Sequence, residues 1–233
     1  MSKSLSSLTF LDLKRRDHWS KYTRDELETI GGKLQEILLA PNCKELLFNL
    51  DNCGFFDAII PELADLKKVP QHKQNSRNAL HHSVLVVQNV PDNPVLKWAA
   101  LLHDIGKIYY KVNSDGTLNF RNHEFTGAKL SKGILKRMKI KNSGDICRLV
   151  QFHSHPLDYQ RQPNWRNDTV RKFVDKYNHL ASLLVDLAIS DKIASSGKSE
   201  YLEPLYALRH MIGEISYDPN NHSKEEGDDQ ITI

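Results

Sequence analysis

His103 and Asp104 are adjacent, and an imidazole and a carboxylate side by side at the end of a helix can both reach one cation. Neutral imidazole nitrogen and carboxylate oxygen suit divalent transition metals, and a carboxylate can bridge two ions. The pair follows an apolar run, Val95 to Leu102, and precedes Gly106, which is read as letting the backbone turn before Lys107. Lys107 lies four residues beyond His103, so one helical turn brings its ammonium to the same end of the helix as the pair. Two further residues sharpen the pattern. His82 lies on an earlier apolar segment, and Asp191 near the end of a late one, where a carboxylate is costly without a partner.

These residues must be positioned by helices, because helical spacing dominates the chain. Thr23 with Glu26 three residues later forms a capping box for a helix through Leu27, Ile30, Leu34, Ile37 and Leu38. Gly31 and Gly32 weaken its middle and Pro41 ends it. Short helices are expected from about Cys43 to Leu50 and from Phe56 to Leu66, followed by a polar connector, Lys67 to Ser76. Ala79 to Val90 is apolar on nearly every side, as a central helix should be, and carries His81 and His82 in its first turns. Pro91 and Pro94 bracket the connection to Val95–Leu102. From Ile108 to Phe120, β-formers alternate around Asn113, Ser114, Asp115 and Gly116, which predicts one small hairpin near residues 108–121 with an Asp-Gly turn. Helical spacing resumes at about His123 to Met138, Gly144 to Phe152, Thr169 to Tyr177, Leu180 to Ile193 and Glu200 to Ile215, while Pro156 and Pro163 confine the segment between them to an irregular loop.

Bulk properties bound the function. The 233 residues are 39% hydrophobic and 26% charged, ordinary for a soluble protein with one main domain. Cys43, Cys53 and Cys147 are odd in number, far apart and without C-x-x-C spacing, which fits a reducing cytoplasm rather than a disulfide framework or thiolate zinc site. The apolar stretches at Leu8–Leu13 and Leu180–Ile189 are too short or too interrupted for a secretory signal or a membrane span. The formal charge is +3, but residues 219–233 set Lys224 against Glu225, Glu226, Asp228 and Asp229, so the rest of the chain carries +6. That excess favours polyanionic ligands, and the acidic tail, with no apolar residue before Ile231, is expected to be disordered.

The pattern H…HD…D, at His82, His103, Asp104 and Asp191, resembles the HD superfamily of metal-dependent phosphohydrolases, and the string Trp98-Ala-Ala-Leu-Leu-His-Asp-Ile-Gly-Lys107 is close to its signature. Leu46, Leu47, Ile60-Pro-Glu-Leu63, HDIGK, Phe120 with His123-Glu124 and Gly127-Ala128, and Leu149-Val150 with His153 occur in an order similar to the HD domain attached to bacterial tRNA nucleotidyltransferases, over roughly residues 43–195. The chain starts almost at this region, leaving no room for a nucleotidyltransferase head, so CCA addition is not the expected activity. The resemblance implies an all-α HD helical bundle, with residues 1–42 as a helical appendage, 43–217 as the phosphohydrolase domain and 218–233 as the acidic tail.

It also implies chemistry: hydrolysis of nucleotide or RNA 3′-end phosphate esters, best matched by 2′,3′-cyclic phosphodiesterase and phosphatase activity. His123 and His153 match extra histidines of two-metal HD sites, with His153 preferred over His155 because Leu149 and Val150 fix its register. One or two ions of manganese, iron, cobalt, nickel or zinc are then expected, bound by His82, His103, Asp104, Asp191, His123 and His153, with Asp104 and Lys107 catalytic. His82 is chosen over His81 because Ser-Val-Leu-Val after it resembles the superfamily's His-Thr-Leu string. Arg171, in Val170-Arg-Lys-Phe173, joins Lys107 as a substrate contact. Lys129, Lys132, Lys136 and Lys139 share one helix face that is either solvated or a track for RNA phosphates, and Trp165 with Arg161, Arg166 and Arg171 either closes the core or stacks on a base. The competing readings are an RNA-binding or assembly module on the same scaffold, and a nucleotidase or alarmone hydrolase. His18, His72, His179, His210 and His222 have no companions at ligand spacing.

Overall fold

The computed structural model describes residues 21–73, 76–160, 167–196 and 202–216. The acidic tail, Arg161, Trp165 and Arg166 therefore lie outside the described residues.

The fold is all-α, with two very small antiparallel sheets among the described residues. Helix α1 (Arg24–Leu39) starts at the expected capping box: the Thr23 hydroxyl accepts from the Glu26 amide while the Glu26 carboxylate accepts from the Thr23 amide. Gly31 does more than weaken this helix. A Cβ there would stand 2.7 Å from the Met138 carbonyl oxygen, so the glycine is what lets α1 lie close on the chain near Met138. Next come α2 (Cys43–Asn52), α3 (Phe55–Ile59) and α4 (Pro61–Ala64), with a 3-10 turn over Asp65–Lys68. One helix was expected over Phe56–Leu66. Pro61, which has no amide hydrogen, breaks it after Ile59 and starts the next short helix.

The polar connector contains a second hairpin that the sequence pattern did not reveal: β1 (Pro70–Lys73) pairs with β2 (Ser76–Asn78), with an irregularity between its two registered pairs. It is pinned at its base, where the Ala79 amide donates to the Val69 carbonyl at 3.0 Å. Asn78 then caps α5 (Ala79–Asn89), accepting from the His81 amide at 2.9 Å. Helix α6 (Pro94–Leu102) is capped by Asn93 and takes Pro94 in its first turn. A 3-10 turn follows at Ile105–Tyr109, so Ile108 is not in a strand; the expected hairpin is shorter, β3 (Lys111–Val112) with β4 (Leu118–Asn119), and Gly116 takes the left-handed conformation at its turn, φ +80°.

The remaining helices are α7 (His123–Arg137), α8 (Ser143–Phe152), α9 (His155–Gln160), α10 (Asn167–Tyr177), α11 (Ala181–Ser196) and α12 (Glu203–Ser216). Helix α9 replaces the irregular loop expected after Pro156, because a proline in a helix's first turn gives up an amide that has no helical partner there anyway. One apolar core runs from Leu34 and Leu38 of α1 through Trp98 and the rest of α6 to Leu205 and Leu208 of α12. Among the described residues, no helix is long and apolar enough to cross a membrane.

Candidate metal centre

Helices α5 and α11 pack against each other, as do α5 and α6, α6 and α8, and α7 with both α8 and the Ile105–Tyr109 turn. This packing brings the ends of helices distant in sequence to one place. His103 is the C-terminal cap of α6, Asp104 immediately precedes the 3-10 turn, His123 opens α7, and His153 caps the end of α8. His82, His103, Asp104 and His153 are all buried, with Asp104 only 1% exposed.

Asp104 is the centre of the arrangement. Its Oδ2 lies 3.3 Å from His103 Nε2, 3.9 Å from His82 Nε2 and 2.7 Å from Lys107 Nζ. Its Oδ1 faces the other way, 3.6 Å from His123 Nε2 and 3.9 Å from His153 Nε2. Two groups could each hold an ion, His82–His103–Asp104 and Asp104–His123–His153; within each, the candidate ligand atoms lie within 4.8 Å of one another. Asp191 reaches the first group through His82, whose Nε2 is 2.9 Å from its Oδ1, and Ser195 Oγ donates to that same oxygen at 3.1 Å.

Three of the histidines share one backbone device. Nδ1 of His103 lies 2.8 Å from the Ala100 carbonyl, Nδ1 of His123 lies 2.9 Å from that of Phe120, and Nδ1 of His153 lies 2.7 Å from that of Val150. A carbonyl can only accept, so each Nδ1 carries a proton, and in the neutral ring each Nε2 presents its lone pair on the side of Asp104. This is the tautomer a metal requires, oriented by a hydrogen bond at the far side of the ring. Nε2 of His103 is fully buried and makes no hydrogen bond of good geometry, which is costly unless something else uses that lone pair. The donor set therefore fits divalent transition ions.

The electrostatics favour the neutral ring at His153 and His123 and pull His103 toward the charged form. Burial, followed by the neighbouring His103, holds His153 down to about 4 despite the opposing Asp104 carboxylate, so its imidazole is neutral near pH 7. Burial likewise lowers His123 against the pull of Asp104 and Glu124. For His103 burial is also the largest influence and acts downward, but Asp104, Asp191 and the Ala100 carbonyl together outweigh it and hold the ring above the ordinary histidine value. Glu124 is held below the usual carboxylate range: burial alone would raise it, but its own backbone, His123 and Ser154 outweigh that. Its Oε1 accepts from Ser154 Oγ at 3.0 Å, tying the start of α7 to the end of α8.

Other expected residues fall into place or fall away. His81 points elsewhere and stacks on Phe48, with ring centroids 5.0 Å apart. His155 hydrogen-bonds the Tyr177 hydroxyl, which burial pushes up to about 12 and so keeps protonated. His179 and His210 are exposed and lie 3.2 Å from Asp145 and 3.6 Å from Glu214 respectively. Arg171 is exposed on α10. Lys129, Lys132 and Lys136 are exposed on α7, whereas Lys139 pairs with Glu28. A cleft of about 540 Å³ is lined by Glu124, Phe125, Gln151, Phe152, Ser154 and His155 among others, which are chain neighbours of His123 and His153, but by none of the candidate ligands. One neighbour of Asp104 had no signal in the sequence: Gln71, from the unforeseen β1–β2 hairpin, places Nε2 3.4 Å from Asp104 Oδ2.

The family model of the HD domain matches residues 74–195 of the chain. Among curated proteins, the A-adding tRNA nucleotidyltransferase of Deinococcus radiodurans is 28% identical over 182 residues, covering 74% of this chain and 40% of that protein. The multifunctional CCA protein of Alcanivorax borkumensis is 34% identical over 113 residues, 46% of this chain and 27% of the relative. That of Legionella pneumophila (strain Lens) is 24% identical over 154 residues, 64% and 37% respectively. The chain thus spans less than half the length of these relatives.

Proposed function

The chain belongs to the HD domain family of metal-dependent phosphohydrolases, and we propose that it opens 2′,3′-cyclic nucleotide phosphodiesters and removes phosphate from nucleotide or RNA 3′ ends, using two divalent ions that share Asp104. The observation that carries this reading is the set of three helix-end histidines, each with Nδ1 tied to a carbonyl three residues back and Nε2 turned toward one buried carboxylate. His82, His103, Asp104 and Asp191 would hold the first ion, and Asp104, His123 and His153 the second. Manganese, iron, cobalt, nickel and zinc all suit nitrogen and carboxylate donors.

Such ions lower the pKa of water and polarise a phosphoryl group. The protein's own residues do the rest. Asp104 fixes the spacing of the two clusters, because its two oxygens face opposite sets of imidazoles. Lys107, held 2.7 Å from Asp104 Oδ2 and 5.3 Å from the centre of the Phe120 ring, offsets charge on a phosphoryl oxygen. Water's oxygen bonds to phosphorus, the ester P–O bond breaks, and the proton passes to the departing ribose oxygen. The cleft lined by Glu124, Phe125, Phe152 and His155 is within the size range of small-molecule sites, and its lining flanks His123 and His153 in the chain, which accords with a nucleotide-sized substrate. Arg171 is assigned as a further substrate cation. An RNA substrate accords with the tRNA-directed names of the relatives, and the free thiols of Cys43, Cys53 and Cys147 accord with the cytoplasm.

Hydrolysis of 2′,3′-cyclic AMP should be measured with manganese, cobalt, nickel and zinc, in native protein and in Asp104→Ala, with helicity of both recorded. The expected result is metal-dependent turnover that disappears in a still-helical variant. Silence of metal-loaded native protein with every ion would overturn the cyclic-phosphate assignment and favour nucleoside monophosphates, alarmones or RNA binding without turnover.

A further inference from the structure

Gln71 reaches Asp104 Oδ2 from the β1–β2 hairpin, an element that carries none of the candidate ligands. The β1–β2 hairpin is anchored where the Ala79 amide meets the Val69 carbonyl, and Gln71 stands two residues beyond that anchor, half-buried. Asn78, the hairpin's last residue, caps the helix that carries His82. The position of the Gln71 amide is therefore set by the same few residues that set the start of the helix bearing a candidate ligand.

At Asp104 Oδ2 the Gln71 contact is 3.4 Å, at the long end of a hydrogen bond, whereas Lys107 Nζ holds the same oxygen at 2.7 Å. A carboxylate oxygen has two lone pairs, and one is already engaged by Lys107. Once that oxygen also ligates a cation, it has no good position left for Gln71. The amide nonetheless has two N–H donors, and its nitrogen and the Lys107 ammonium both meet Oδ2, whereas His123 and His153 face Oδ1. A neutral donor and a cation converging beside a metal-binding carboxylate are the components of an oxyanion seat.

We propose that Gln71 and Lys107 together seat a phosphoryl group at the first cluster, with the Gln71 amide donating to a non-bridging oxygen. This inference rests on the metal-dependent reading above and adds a substrate contact to it. Gln71 supplies a directed hydrogen bond without adding charge, while Lys107 supplies charge with little direction.

The test uses the full chain loaded with manganese and titrated calorimetrically with inorganic phosphate. Gln71→Leu should retain its manganese and its melting temperature but bind phosphate about tenfold more weakly, the loss of one hydrogen bond to a charged group. Gln71→Glu, which places a second carboxylate against the anion, should bind none measurably. A Gln71→Leu affinity within twofold of native overturns the assignment. So does loss of manganese from that variant, which would make Gln71 a support for Asp104. Native protein that takes up no manganese would instead sink the metal reading itself, a different outcome from either.

Discussion

The three Nδ1-anchored histidines are paired with helix ends for a physical reason. The last carbonyls of a helix lack amide partners, so a histidine just past the final turn can donate to the carbonyl three residues back. His103 on Ala100 and His153 on Val150 use this device, and His123 uses the Phe120 carbonyl ahead of α7. The string HDIGK and the histidine at 82 were legible in the sequence because their types and spacing are themselves the signal. The tautomer was not, since it depends on which carbonyl a ring meets, and neither was Gln71, one polar residue in a polar connector. Burial of His153 also carries a cost in acid. Its imidazole titrates at about 4 in the folded chain against an ordinary 6.5, so between those values the unfolded chain binds more protons. In the metal-free protein His153 therefore contributes stability that is fully present above about pH 6.5 and is lost as pH falls toward 4, up to about 3 kcal/mol. The lowered His123 and His155 act in the same direction, and the raised His103 opposes them. Urea unfolding at pH 7.5 and pH 5 should show this decline, and it should be smaller in His153→Gln; equal declines in both proteins would place the effect elsewhere.

At the scale of elements, Gly106 serves contact rather than turning. Gly106 was expected to let the backbone bend before Lys107, but it is not among the glycines with positive φ. A Cβ at Gly106 would lie 2.0 Å from the His123 carbonyl oxygen and 2.6 Å from the Gly127 amide, so what the position requires is space for the first turn of α7. The close approach of the Ile105–Tyr109 turn to α7 is what brings His123 to Asp104. Gly106→Ala should destabilise the fold by about 1–3 kcal/mol through overpacking and lower the affinity of the His123–His153 cluster while leaving the His82–His103 cluster loaded. Thermal unfolding with metal analysis checks this, and a variant with native stability and full metal content would refute it. The helices themselves were legible from apolar spacing and, at Thr23, from the capping box. The β1–β2 hairpin was not, because Pro70-Gln-His-Lys carries none of the branched or aromatic residues that mark strands. Helix α9 was hidden by Pro156, whose meaning depends on whether it falls in a first turn or an interior one.

Over the whole molecule, one apolar core spans α1 to α12, and the histidines sit at the ends of the elements that form it. Placing ligands at helix ends lets the core provide rigidity while the site keeps its polar atoms near one another, so the fold should not need metal to form, only to act. The central claim is that two clusters share Asp104, and counting bound metal tests it most directly. Native protein saturated with manganese and freed of excess should carry two ions per chain, His153→Asn one, and Asp104→Ala neither at the same free concentration, all three with native helicity. One ion in the native chain, or two retained in His153→Asn, would contradict the shared two-ion centre.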